Sequence, residues 1–80
     1  MKKSNRKKSL TIEEESLKVG QRIRRERTLR SMTLQSIAQE IGSHRSNLCQ
    51  IETGNTMPTI TTLVRISRAI GCPPSEFWLD

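Results

Sequence analysis

From residue 12 onward the apolar positions recur with a helical period. Leu34, Ile37, Ala38 and Ile41 fall at i, i+3, i+4 and i+7, which is one face of a helix. Leu48 and Ile51 repeat that spacing in the next segment, and Leu63, Ile66 and Ile70, flanked by Val64 and Ala69, repeat it again. In the first segment Ile12, Val19 and Ile23 share one side, Leu17 and Leu29 fall off it, and Glu26 interrupts the stripe. Glu26 is read as an exposed residue that pairs with Arg22 or Arg30 at i±4, worth about 0.3 kcal/mol. No segment alternates with the period of a strand.

Capping signals divide this pattern into helices. Thr11-Ile12-Glu13-Glu14 fits a capping box, with Thr11 as N-cap and Glu14 reaching back to it. Helix one then runs to about Leu29, and Ser31-Met32 makes the connection. Thr33 caps helix two, which runs to Ile41 and closes at Gly42 in the left-handed region. Ser43 or His44 starts helix three, which Gly54-Asn55 ends near Thr53. Thr56-Met57-Pro58 is a loop, Thr59 or Thr61 caps helix four, and Gly71 stops it after Ile70. Pro73-Pro74 bends the chain, and Pro74 can open a short last helix through Leu79. Five helices in roughly 70 residues with short connections predict a compact all-α fold.

The chain has 80 residues, room for one domain with a small core. One Phe and one Trp are its only aromatic residues, so aliphatic side chains must supply the burial. The net charge is +6, but Lys2, Lys3, Arg6, Lys7 and Lys8 carry five of the fourteen bases with no acid among them. The chain therefore divides into a basic tail, residues 1–10, expected to be disordered, and a helical domain, residues 11–80. With the tail set aside the charge is almost balanced, so any affinity for a polyanion must come from sidedness plus the tail. In helix one, Glu13, Glu14 and Glu15 open the helix while Arg22, Arg24, Arg25, Arg27 and Arg30 load its end, an order that also suits the helix dipole.

Several classes of function are set aside. Cys49 and Cys72 with a single His make no ligand set of zinc spacing, so no metal and no cofactor is expected. No apolar run reaches the ~18 residues of a membrane span, and no apolar segment follows the basic N-terminus as a secretory signal would. The reading is of a cytoplasmic protein. An enzyme lacks any pairing of nucleophile and base. Cys49 reads as a small half-buried filler.

Helix three is the informative element. Leu48 and Ile51 give it an apolar back, while His44, Arg45, Ser46, Asn47 and Gln50 give it a front of hydrogen-bonding side chains. Such a helix, joined to its predecessor through Gly42, suits the major groove of DNA. The Arg45 guanidinium can make two parallel bonds to guanine O6 and N7, and the Gln50 amide can pair with adenine N6 and N7. Ser46 can meet a base or phosphate, or cap the first turn. His44 is read first as a turn residue. Glu52, acidic on such a helix, must face away, accepting hydrogen bonds near the loop or pairing with an arginine of helix one.

Taken in order, Arg22-Ile23-Arg24, Met32-Thr33, Ile37-Ala38 with Gly42, His44-Arg45-Ser46, Ile51-Glu52-Thr53-Gly54, Pro58 through Leu63 and Ile66 through Gly71 resemble the phage repressor and Cro type (lambda repressor-like) of helix-turn-helix domain. The resemblance covers about residues 17–79. It implies a five-helix fold in which helices two and three read DNA, and a homodimer acting on an inverted-repeat operator. It carries base contact over to Arg45, Ser46 and Gln50, with His44 and Asn47 as neighbours. It carries phosphate contact to Thr33 and Gln35 at the start of helix two, and to Asn55 and Thr56 after helix three. The family commonly has Gln directly after the cap of helix two. This chain has Leu34 there and Gln35 next, so backbone amides at that helix start become the alternative phosphate donors. Ser43 stands where an aliphatic residue is usual.

Two further surfaces follow. The tail, Lys7 and Lys8 included, can lie along phosphates or in the minor groove, or be a solubilising charge run. Pro73 through Leu79 is the candidate dimer surface, formed by Trp78, Phe77 and Leu79, unless Phe77 closes the core of the monomer. The expected function is a sequence-specific double-stranded DNA-binding transcriptional regulator, with no small-molecule effector evident. The alternative is an antitoxin or protein-interaction module that also autoregulates through DNA.

Overall fold

The computed structural model describes residues 11–78, and these form four α-helices followed by one short 3-10 helix, with no strand among them. The helices are α1 (Ile12–Leu29), α2 (Leu34–Ile41), α3 (Arg45–Glu52) and α4 (Ile60–Ile70), and the 3-10 helix is Pro74–Phe77. The expected last helix is thus a single tight turn. It begins on Pro74, as expected, but Trp78 already leaves it at φ −129. The expected basic tail, with Lys7 and Lys8, and the candidate dimer residue Leu79 lie outside the described residues.

Local chemistry sets the helix ends. The Glu14 N–H donates to Thr11 Oγ1 at 3.1 Å, and the Thr11 N–H donates to Glu14 Oε1 at 2.9 Å, so the capping box is formed at both bonds. That contact holds the Glu14 carboxyl below its ordinary range. Thr33 and Thr59 cap α2 and α4, accepting from the N–H groups of Ser36 at 3.0 Å and Thr62 at 3.1 Å. Gly42, at φ 71, lets the Ser43 N–H turn back to the Ala38 carbonyl at 2.8 Å, closing α2. The same closure ends α1, where Met32 N–H reaches the Arg27 carbonyl at 3.1 Å, but its left-handed position is Ser31 at φ 55.

One core joins all the elements. α1 packs on α3, α2 on both α3 and α4, and the 3-10 helix on α1 and α4. Val19, Ile23, Ile37, Ala38, Leu48, Ile51, Leu63, Ile66, Ala69, Ile70, Cys72 and Phe77 are buried together. Two expectations for α1 fail here. Ile12 is 72% exposed, because it precedes the stretch of α1 that meets a neighbour. Glu26 is buried with Val19 and Ile23, because i, i+4, i+7 places it on the packed face. Its carboxylate is ionised there with Arg30 at 2.8 Å and Arg25 at 3.3 Å. The Arg30 hydrogen bond, more than Arg25, holds the Glu26 carboxyl below its ordinary range against the opposing effect of burial. Burial pushes the Cys72 thiol up, away from reactivity. No helix among the described residues is long and apolar enough to cross a membrane.

Candidate nucleic-acid interface

The apolar back of α3 decides what its front can do. Leu48, Ile51 and Glu52 are buried on one side, while Arg45, Ser46, Asn47 and Gln50 are exposed and Cys49 is half-buried. By helical geometry Ser46 and Gln50 stand one turn apart near the middle of the outer face, with Arg45 and Asn47 at its edges.

Two contacts hold α3 from behind. Arg27 of α1 grips Glu52 at both carboxylate oxygens, Nε to Oε2 at 2.7 Å and Nη2 to Oε1 at 3.0 Å. The same guanidinium donates to the Met32 carbonyl at 2.8 Å. One side chain therefore ties α1, the α1–α2 connection and the end of α3 together, and the hydrogen bond to Glu52 raises the Arg27 pKa. Glu52, the only acid in α3, is thereby turned away from the exposed face and neutralised. The second contact is backbone on backbone. A Cβ on Gly20 of α1 would meet the Ile51 carbonyl oxygen and lie 2.7 Å from that of Glu52, so only glycine lets α1 come this near.

The exposed side chains differ in freedom. Arg45, Ser46 and His44 make no side-chain hydrogen bond or ion pair among the described residues. His44 is the N-cap position of α3 but does not cap it through its side chain. Asn47 is tied back to the turn, its Nδ2 donating to Ser43 Oγ at 3.2 Å. That bond gives Ser43 a polar task in the turn, and it leaves Asn47 less free than its neighbours. Gln50 accepts at Oε1 from Asn55 Nδ2 at 2.9 Å.

The other expected contact residues lie at two places. Thr33 and Gln35 are exposed at the start of α2, and the Thr33 hydroxyl oxygen is already engaged by its cap. Asn55 and Thr56 are exposed in the loop that follows α3. Of the two readings of Phe77, dimer surface or closure of the monomer core, the structure shows the burial that the second requires. Phe77 is fully buried in the core, on the 3-10 helix that packs against α1 and α4. Trp78, next to it, is 45% exposed and stays a surface residue.

Periodicity alone does not reveal Gly20, the Asn47–Ser43 bond or the Asn55–Gln50 bond. For Gly20 the signal was a glycine inside a helical pattern, which carries a propensity cost of ~1 kcal/mol and so asks for a packing reason. The two amide bonds had no signal, since each depends on where a turn places a side chain.

A helix-turn-helix family model matches residues 23–77. No curated protein matches the sequence. Among solved structures the chain is similar to the restriction-modification controller protein C.AhdI from Aeromonas hydrophila, with a TM-score of 0.76 and 25% identity over 80% of this chain and 97% of that one. It is also similar to an HTH_3 family transcriptional regulator from Vibrio cholerae, with a TM-score of 0.78 and 30% identity over 84% of this chain. That match spans only 38% of the Vibrio cholerae protein.

Proposed function

The chain belongs to the helix-turn-helix family, and from that premise we propose that it is a sequence-specific double-stranded DNA-binding transcriptional regulator acting as a dimer on an inverted-repeat operator. One observation carries the reading. α3 is anchored along its back by Leu48, Ile51 and Glu52, and its exposed face offers Arg45, Ser46 and Gln50 with no acid beside them. A helix held from behind, with Arg45 and Ser46 free and the Nε2 of Gln50 open on its outer side, is what reading base edges in a major groove requires.

In this reading Arg45 is the principal reader, taking guanine through its forked donors. Ser46 and Gln50 read beside it, and His44 and Asn47 border them. Thr33, Gln35 and Thr56 approach phosphate, fixing register without reading sequence. Residues 1–10 serve as a basic arm and Trp78 as part of the dimer contact. The two solved relatives, named as a controller protein and a transcriptional regulator, support the class of function.

The test begins with selection of duplexes from random DNA by the full chain. The expected product is an inverted repeat with half-sites roughly 10 base pairs apart, bound with an affinity that falls steeply with salt. Arg45→Ala should then lose about 1–3 kcal/mol of discrimination at one base pair of each half-site and keep most of its non-specific binding. Equal loss on every sequence would remove Arg45 from its role, and failure to enrich any sequence would remove the function.

A further inference from the structure

Gln50 and Asn55 are joined twice. The Asn55 N–H donates to the Gln50 carbonyl at 3.0 Å, across the turn that Gly54 makes at φ 84. The Asn55 side chain then donates through Nδ2 to Gln50 Oε1 at 2.9 Å. The backbone bond belongs to the helix ending and fixes where Asn55 starts. The side-chain bond is extra, and it acts on a residue at the middle of the exposed face.

That bond has a chemical consequence. A free glutamine amide can turn either its oxygen or its nitrogen toward a base edge, and adenine N7 with N6 needs the two ends in one order. When Asn55 donates to Oε1, that oxygen keeps one lone pair while both hydrogens of Nε2, which only donates, stay free. The base edges that answer a donor in the major groove are purine N7, guanine O6 and thymine O4. The order of the Gln50 amide is thereby fixed, and base edges that present an acceptor to Nε2 are favoured.

We propose that Asn55 is a positioning residue for sequence readout, fixing the Gln50 amide so that Gln50 addresses its base as a hydrogen-bond donor. This inference rests on the reading of α3 as the DNA-reading helix. It reassigns Asn55 from phosphate contact to specificity. Both side chains are exposed in the free protein, where water competes for the bond. On DNA that water is excluded and the bond strengthens. An amide already held in place also gives up less rotamer freedom on binding.

The experiment uses the full chain and the duplex it selects from random DNA, with all four bases placed in turn at the position where Gln50→Ala loses discrimination. Asn55→Ala should reduce discrimination at that position roughly two- to tenfold, the worth of one hydrogen bond. It should leave the other positions and the salt slope unchanged. Combined with Gln50→Ala it should add nothing further at that position. Asn55→Asp is the sharper variant. A carboxylate accepts from Gln50 Nε2 and turns Oε1 outward, so the preferred partner should shift toward the amino-bearing bases, cytosine and adenine. An unchanged base preference in both variants overturns the proposal. So does a uniform loss on all sequences with an unchanged order of base preference, which would return Asn55 to phosphate. Those failures leave the DNA-reading function standing, whereas absence of any selected sequence for the wild-type chain overturns both.

Discussion

Gly20→Ala sets two effects of opposite sign against each other. Intrinsic propensity alone makes alanine better than glycine in a helix interior by about 1 kcal/mol. The packing of α1 on α3 reverses this. The new Cβ would lie 2.7 Å from the Glu52 carbonyl oxygen, 2.9 Å from its carbon and nearer still to the Ile51 oxygen. These are backbone atoms, so no rotamer change relieves the overlap, and the helices must move apart by several tenths of an ångström. Overpacking of this kind costs about 1–3 kcal/mol, and a clash with backbone belongs at the upper end. Subtracting the propensity gain leaves a net loss of about 2 kcal/mol. A domain of this size has roughly 5–10 kcal/mol in total, so the melting temperature should fall by roughly 8–16 °C. Thermal and urea unfolding followed by far-ultraviolet circular dichroism measure it, with alanine at the exposed neighbour Gln21 as a control for propensity. A Gly20→Ala protein that melts at or above the wild-type temperature refutes the close approach of α1 to α3.

Two further tests concern the buried charges. Glu52→Gln keeps the volume but breaks the grip of Arg27, whose side chain is 14% exposed against 6% for Glu52. The loss should be about 2–3 kcal/mol, between the ~1 of a surface pair and the ~3–5 of a fully buried one, and a double-mutant cycle with Arg27→Met that shows no coupling would make the pair idle. Glu26 gives a pH dependence: its carboxyl titrates below the ordinary 4.5 in the folded chain, so its contribution is complete above that value and disappears as pH falls through the lower folded pKa. The melting temperature should therefore drop less below pH ~4.5 in Glu26→Gln than in wild type, and parallel curves for the two proteins would contradict this.

The parts of the fold legible in the sequence are those set by neighbouring residues. Thr11 with Glu14, Thr33, Thr59, Gly42 and Gly71 mark helix ends because a cap needs only a side chain and the next turn of backbone. The outward face of α3 was legible for a similar reason, since Leu48 and Ile51 fix its rotation. What failed depended on a distant partner. Ile12 looks like core until one knows where α1 meets its neighbours. Glu26 looks like surface because a charge in a stripe reads as an interruption, yet Arg25 and Arg30, themselves exposed, reach across to pair with its buried carboxylate. Ser31 at φ 55 could not be seen, because a left-handed turn is signalled by glycine and here serine makes it.

The arrangement of acids explains how an almost neutral domain can offer a face suited to a polyanion. Outside the first eight residues there are nine bases against eight acids, which argues against strong attraction if the charges are spread evenly. They are not. Glu52 is spent on Arg27 behind α3, and Glu26 is spent on Arg30 and Arg25 within the packed side of α1. Glu13, Glu14 and Glu15 gather in the first turn of α1. The exposed side of α3 keeps Arg45 and carries no carboxylate of its own. At the exposed side of α3, if it is the DNA-reading face proposed above, attraction to a polyanion comes from turning Glu52 inward more than from added bases, Arg45 being the only base in α3. Such a face supplies only a modest non-specific affinity, since that affinity scales with the number of phosphates neutralised. On the proposed function, discrimination then rests on the hydrogen bonds of a few side chains, so the orientation of Gln50 and the freedom of Arg45 matter more here than they would on a strongly basic surface.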